Sequence, residues 1–221
     1  MIKNAKSNDT DKTDIGTYWA RIIIVAYNSG NDLQICLDSL NKQTFQSFEV
    51  TIIDNASTDD AINKLTLPNE RYQVLELDKN TGFSGGSNRG ALDAKTEWII
   101  TLNPDSWPTN NWLEKLHDAS QTYTQYSMLS STIVQADNQN LIDSFGDFFS
   151  IFGVARNGGR DSALSNRPRF YCETFSPSGA AAAYRTEAFH QASGYDETFF
   201  CYLEDVDLGY RLRLLGEACL Q

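Results

Sequence analysis

Histidine is nearly missing from this chain: its 221 residues include two, His117 and His190. A histidine triad or a histidine-rich zinc site is hard to build from so few. Any catalysis should therefore rest on carboxylates. The four cysteines, Cys36, Cys172, Cys201 and Cys219, fall at neither metal-ligand nor Cys-x-x-Cys spacing. Reduced thiols in a cytoplasmic protein are the simplest expectation. No apolar run approaches the ~20 residues that span a bilayer. Met1 to Thr17 lacks the apolar core of a signal peptide, and residues 1–18 are expected to form a flexible tail. Positive charge is short as well: 18 Lys and Arg stand against 29 Asp and Glu, a net charge of −11. Such a surface, taken as a whole, repels a nucleic-acid backbone or an anionic membrane. No nucleic-acid partner is expected, and membrane association should be peripheral at most.

What is present is ordinary for a globular protein: 41% hydrophobic and 21% charged residues. The length suits one domain, residues 19–221, with two halves, 19–134 and 135–221. It buries on the order of 70% of the unfolded chain's surface.

The organising stretch is Trp98-Ile-Ile-Thr-Leu-Asn-Pro-Asp105. Its continuous apolar run reads as a strand covered on both faces, as in a parallel sheet. Pro104 cannot donate a ladder hydrogen bond, so the strand should stop there. That places Asp105 at the carboxyl end of a central strand, where open α/β sheets bind ligands. Arg21–Tyr27 is another strand, ending at the turn and cap signal Asn28-Ser29-Gly30. Leu33, Cys36, Leu37 and Leu40 give a helix with Cys36 in the core. Phe48–Ile53 is a strand ending at Asp54. Ser57-Thr-Asp-Asp60 fits a capping box before a short helix holding Ile62 and Leu65. Tyr72–Leu77 is the next strand. The alternation predicts βαβ units and a mostly parallel α/β sheet flanked by helices.

Asn80-Thr-Gly-Phe-Ser-Gly-Gly-Ser-Asn-Arg-Gly90 is a glycine-rich loop opening a helix. It lacks both Rossmann and P-loop spacing; a structural turn and a phosphate-binding loop are both open. Trp107-Pro-Thr109 should start a helix with Trp112, Leu113 and Leu116 on its apolar side, and Met128–Val134 a strand. Gln135–Pro177 is the least legible stretch. It could pair two short strands around Ile142–Phe149, and it gathers Arg156, Arg160, Arg167 and Arg169. A solvated mobile loop is one reading; the other is a lid, with Arg156 and Arg160 meeting an anionic substrate group. Ser178–Tyr184 is a small-residue strand, so a ligand or an acceptor could approach near Gly179. Glu187–Gln191 reads as a short helix. A last helix follows Glu204-Asp-Val-Asp207, with Leu208, Leu212 and Leu215 in period and Gly216 as its stop.

Acids at that helix start have a structural explanation, dipole complementarity, and Asp207 has an i,i+4 ion-pair partner in Arg211. Glu204 and Asp205 lack such an obvious partner. If they met Asp105 across a cleft, one carboxylate with a divalent metal could hold a diphosphate leaving group and the other could deprotonate a hydroxyl. Asp54 and Tyr27 could hold a nucleobase by hydrogen bond and stacking.

Taken in order, IIIVAYNS, IIDNASTDD, NTGFSGGSNRG, LNPD and GYDETFFCYLEDVDLGYRLRLLG resemble the family 2 glycosyltransferases of the GT-A fold, from about Arg21 to the end. The resemblance implies an inverting transferase that uses a nucleotide-diphosphate sugar. It implies that Tyr27, Asn28 and Asp54 contact the nucleotide and that Gly82, Phe83 and Asn88 line the donor site. Asn103 would lie near ribose and diphosphate, Asp105 would bind Mg²⁺ or Mn²⁺, Asp205 would be the base, and Glu204 would orient the acceptor. The Asn-Pro-Asp form looks like the rhamnosyltransferase-like branch, which uses dTDP-rhamnose; UDP and GDP sugars serve related members. The acceptor would be a saccharide or lipid-linked glycan in surface polysaccharide synthesis. Two departures stand out. Asn103 replaces the first acid of Asp-x-Asp. The chain also stops at Gln221, where the family usually continues through another strand, often with a metal-binding His, so a truncated C-terminus is expected. The competing functions are a carboxylate-pair glycoside hydrolase, a non-catalytic sugar-nucleotide-binding module and a sugar nucleotidyltransferase.

Overall fold

The structure is a computed structural model and describes residues 18–221; the expected tail, apart from Tyr18, lies outside the described residues. Three strands, β1 (Ala20–Ala26), β2 (Phe48–Asp54) and β3 (Tyr72–Glu76), run parallel beside one another. The organising strand, β4 (Trp98–Leu102), pairs parallel with the other side of β1. Helices α1 (Asp32–Asn41) and α2 (Gly82–Ala91) lie between them in sequence, and α3 (Trp112–Thr122) follows β4. Beyond β4 the sheet continues with β11 (Ala181–Arg185), β5 (Met128–Ser130), β12 (Cys219–Leu220) and β10 (Glu173–Thr174). The eight-stranded order is β10-β12-β5-β11-β4-β1-β2-β3. Strand β11 is antiparallel to both neighbours, and β10 to β12; the other six point one way. Both halves foreseen in the sequence contribute strands to this one sheet.

Alternation along β1 sorts the core into two layers, because successive strand residues face opposite sides. Ile22, Ile24 and Ala26 join Leu33, Leu37, Leu40, Leu113 and Leu116 under α1 and α3. Ile23 joins the opposite layer, with Ala91, Phe189, Leu208 and Leu212. That second layer is roofed by α2, α4 (Thr186–Gln191) and α5 (Glu204–Leu214). Helix α2 is glycine-rich and intrinsically poor as a helix. Its glycines let it lie on β1: a Cβ at Gly86 would come within 2.7 Å of Val25, and one at Gly90 within 2.6 Å of Ile23. Arg21 is buried beneath this contact, paired with Glu49 and Asp93 and donating to the Gly90 carbonyl.

Several expectations change. Ser57–Leu65 forms turns, not a helix; Asp54 takes the Ser57 N–H that the Asp60 side chain of a capping box would have used. Helix α3 begins at Trp112 rather than near Trp107. Met128–Val134 is two strands: Ser131 and Thr132 intervene, and β6 (Ile133–Val134) leaves the main sheet to pair with β7 (Ile142–Ser144). The stretch 135–177 is not a loop. It folds as the β6–β7 pair and a separate hairpin of β8 (Asp147–Phe149) and β9 (Ala155–Asn157). Residues after α5 form strand β12, so a strand does follow the Glu-Asp helix. The Asp207–Arg211 ion pair is present at 2.7 Å, and Gly216 ends α5 at φ +92°.

Candidate active site

Strand order reverses between β1 and β4, so their carboxyl ends flank the crevice in which α/β sheets bind ligands. From β1 come Tyr27, half exposed, and Asn28, in the left-handed region at φ 52°. The Asn28 carbonyl oxygen of the side chain accepts from the backbone N–H groups of Thr58 and Asp59 at 2.7 and 3.2 Å. It thereby ties the end of β1 to the loop after β2. Asp54 accepts from Ser57 N–H at 2.9 Å, which fixes that loop while leaving Oδ2 without a protein partner among the described residues.

Asn55 was missed in the sequence and organises the glycine-rich loop. Its buried amide donates to Asn80 Oδ1 and the Gly82 carbonyl, both at 3.0 Å, and accepts from Thr81 N–H at 2.8 Å. The glycine-rich loop is therefore clipped to the end of β2. Gly82, at φ +73°, lies against the backbone of Phe200; a Cβ there would fall 2.2 Å from the Phe200 carbonyl oxygen. Phe83 packs edge-on against Tyr195 at 5.6 Å. Asn88 spends its amide on Tyr195 and Glu197: it accepts from Tyr195 N–H at 2.9 Å and donates to the Tyr195 carbonyl at 2.8 Å. Asn88 thus secures the 194–197 segment, a role that its place in the motif did not announce.

From β4, Asn103 donates its backbone N–H to the Ala180 carbonyl at 3.0 Å, and Thr101 donates its hydroxyl to the Gly179 carbonyl at 2.9 Å. Asp105 stands beyond them, exposed. Gly179 N–H in turn donates to Asp205 Oδ2 at 2.7 Å, and Val206 N–H donates to Oδ1 at 2.8 Å. A short bridge of hydrogen bonds therefore joins the end of β4 to the carboxylate at the start of α5. A Cβ at Gly179 would sit 3.3 Å from Asp205 Oδ2, so only glycine leaves the carboxylate this close to the strand without a shift.

Asp205 has company. Glu204 is buried, and its Oε2 has no partner among the described residues. Asp147, on β8, is buried too and accepts from Ser176 Oγ at 3.3 Å. Burial first, and then the neighbouring carboxylates, pushes both Glu204 and Asp147 up to about 7. Asp205 is raised by burial, against the pull of its two backbone N–H donors. Asp147 was not foreseen: it lies in a stretch without periodicity, and only packing brings it here. The turn before α5 is strained, with Phe200, Tyr202 and Leu203 all at φ between 50° and 74°. Non-glycine residues rarely hold that conformation, and it concentrates at functional sites.

The arginines divide. Arg160 lines a cavity of about 650 Å³ that opens beside Asp105, with Asn103, Trp107 and Asp143 among its walls. Arg156 lies on β9, exposed and opposite Phe148. Among the described residues, no group of three or more His, Cys, Asp or Glu is arranged to hold a metal. What the site offers a cation is one carboxylate, Asp105. That fits a hard ion carried in on a diphosphate, since Mg²⁺ is commonly held by one or two carboxylates plus substrate phosphates.

The model of the family described as Glycosyl transferase family 2 matches residues 21–192, ending before α5. N-acetylglucosaminyl-diphospho-decaprenol L-rhamnosyltransferase of Mycobacterium tuberculosis is 28% identical, over 88% of this chain and 70% of its own. The low-salt glycan biosynthesis hexosyltransferase Agl10 of Haloferax volcanii is 26% identical, over 87% of this chain and 61% of its own. Among solved structures, S. aureus TarS 1–349 superposes with a TM-score of 0.64 at 20% identity, covering 91% of this chain and 57% of that one. Mannosyltransferase PcManGT from Pyrobaculum calidifontis, in complex with GDP-Man and Mn²⁺, gives 0.64 at 15%, covering 93% and 55%. This chain thus spans little more than half of each of those structures. The shared fold is GT-A.

Proposed function

Starting from a chain that belongs to glycosyl transferase family 2, we propose that it moves a sugar from a nucleotide-diphosphate donor to a hydroxyl of a saccharide or lipid-linked acceptor, with inversion at the sugar carbon. The observation that carries this is the place of Asp205: a partly buried carboxylate held by Gly179 N–H from the turn that leads into β11, the strand paired with β4, beyond whose end Asp105 stands. Tyr27 and Asp54 take the base. The diphosphate lies near Asn103 and Asp105. Asp105 would hold Mg²⁺ or Mn²⁺, which when bound would neutralise charge on the departing diphosphate.

Asp205 accepts the acceptor's hydroxyl proton as the new oxygen–carbon bond forms. The sugar–diphosphate bond breaks on the opposite face, so one displacement inverts the carbon. Glu204, with its free Oε2, orients the acceptor hydroxyl. Burial raises the basicity of Asp205, which improves a general base once it is ionised. The relatives support a rhamnose or other hexose as the sugar and a polyprenyl-linked glycan as acceptor, in surface polysaccharide synthesis. The four free cysteines support a cytoplasmic setting. A non-catalytic nucleotide-binding module is the second reading, favoured by the single carboxylate at Asn103-Pro-Asp105.

Calorimetric titration with dTDP, UDP and GDP, with and without Mn²⁺, tests the donor site. The expected result is metal-dependent binding of one nucleotide, lost in Asp105→Ala. Binding that ignores both metal and Asp105 would overturn the assignment. Turnover that survives Asp205→Asn would leave the base elsewhere.

A further inference from the structure

Hairpin β8–β9 carries an uncharged run, Phe148-Phe-Ser-Ile-Phe-Gly-Val-Ala155. At its tip Ile151 is 95% exposed and Phe152 86%. The hairpin itself is held firmly. Phe149 stacks on Phe175 with ring centroids 5.0 Å apart and meets Tyr210 of α5 edge-on at 5.8 Å. Phe148 packs edge-on against Phe145, and the turn closes through Ser150 N–H to the Val154 carbonyl at 3.0 Å. Two large apolar side chains are thus aimed outward from a braced support. Leu214, one turn beyond Tyr210 on α5, is also exposed. Contiguous apolar surface of this kind marks an interaction site.

The surrounding charge runs against that of the rest of the molecule. Arg156 sits directly across the ladder from Phe148. Arg160, Arg167 and Arg169 follow, and Asp161 is the one acid between Phe148 and Tyr171. Phe170, beside Arg169, is exposed as well. A chain of net charge −11 thus carries four arginines and a single acid in this stretch, with Arg156 on the hairpin itself and Arg160 on the wall of the cavity beside Asp105. Apolar side chains that enter the acyl boundary, with arginines at headgroup level, are how a protein seats on an anionic bilayer.

We propose that hairpin β8–β9 is a membrane-docking wedge: Ile151 and Phe152 enter the interface of an anionic bilayer, and Arg156, Arg167 and Arg169 meet its lipid phosphates. Through Phe149 and Tyr210 the wedge is coupled to α5, so seating it brings the Glu204–Asp205 end of the cleft to a fixed height above the lipid. The overall negative charge keeps the rest of the surface off the membrane, which makes the contact local and oriented. The wedge stands on exposure and charge and is independent of the transfer reading.

Flotation of the full chain with vesicles of phosphatidylcholine alone, or mixed with phosphatidylglycerol, tests it. Wild type should float with the anionic vesicles, and I151S/F152S should bind at least about tenfold more weakly with an unchanged melting curve. Arg156→Gln should lower binding to the anionic vesicles and blunt its loss at high salt. The proposal is overturned if wild type binds neither vesicle, or if the double variant floats as wild type does. It is overturned equally if light scattering finds a dimer that I151S/F152S dissolves, because the occupant would then be a second copy of the chain.

Discussion

Asp205 accepts two backbone N–H bonds and lies in a buried acidic cluster. Replacing it with Asn keeps the shape and removes the proton acceptor. Asp205→Asn should reduce sugar transfer by about 10²–10⁴-fold while leaving nucleotide affinity unchanged by calorimetry. Asp147 acts on the same group from β8. Once ionised, it makes ionisation of Asp205 harder, since like charges in a buried site raise one another's proton affinity. The acid limb of the rate profile should therefore lie above the ordinary carboxylate range, because burial raises Asp205. Asp147→Asn should move it down. A pH–rate profile that does not move in Asp147→Asn would show that Asp147 has no electrostatic hold on the base. Asp205 and Glu204 were legible in the sequence because a helix start announces itself through an acidic turn and a following leucine period. Asp147 was not: a carboxylate in a short edge hairpin carries no local signal, and its meaning comes from what it is buried against.

At the scale of elements, the site depends on how α5 is seated. Asp205 and Gly209 share a face of that helix, one turn apart, and Gly209 rests on Ser176, the residue that also donates to Asp147. A Cβ at Gly209 would come 2.3 Å from the Ser176 Cβ. Alanine would favour the helix intrinsically by about 1 kcal/mol, but the collision should win. Gly209→Ala is expected to destabilise by about 1–3 kcal/mol and to lower transfer rate more than nucleotide affinity, measured by melting and by kinetics beside calorimetry. Helix α2 and its loop present the complementary case. Asn55→Ala would strip the loop of two donors and an acceptor in a buried setting. A loss of about 2–4 kcal/mol is expected in urea unfolding, with nucleotide binding weakened because the loop is no longer clipped to β2. The glycine pattern was visible in the sequence, with a turn and a phosphate loop left open. The structure shows a third use: Gly86 and Gly90 bring α2 onto β1, a contact that depends on residues about 60 positions away in the chain and so lies beyond any local pattern.

For the molecule as a whole, the buried acids set a pH dependence of stability. Glu204 and Asp147 bind protons more tightly folded than unfolded, so their ordinary values of 4.5 and 3.8 rise to about 7. Between those limits the folded state holds more protons, and stability must fall as pH rises. The contribution is complete below about pH 4 and lost above about pH 7. Its size is on the order of 1–3 kcal/mol after allowance for screening and relaxation. Urea midpoints should be higher at pH 5 than at pH 8, and Glu204→Gln with Asp147→Asn should flatten the difference. Self-repulsion from the net charge of −11 acts in the same direction but would survive the double variant, so the variant decides between the two causes.

The sequence by itself determined the parallel core, β1 to β4 with their helices, because continuous apolar runs and a 3.6-residue period act locally and are readable in one dimension. It also determined that Asp105 ends a central strand and that Glu204 and Asp205 begin a helix. Tertiary structure alone decided that the end of β4 is tied by hydrogen bonds to the start of α5. The link runs through the turn before β11, an antiparallel strand inserted beside β4: Gly179 of that turn donates its N–H to Asp205. It alone also decided how the short strands around Ile142–Phe149 pair: β7 with β6 and β8 with β9, rather than with each other. Short strands of two or three residues bury too little surface to show a period, and their pairing is stabilised by contacts made across the fold rather than along the chain.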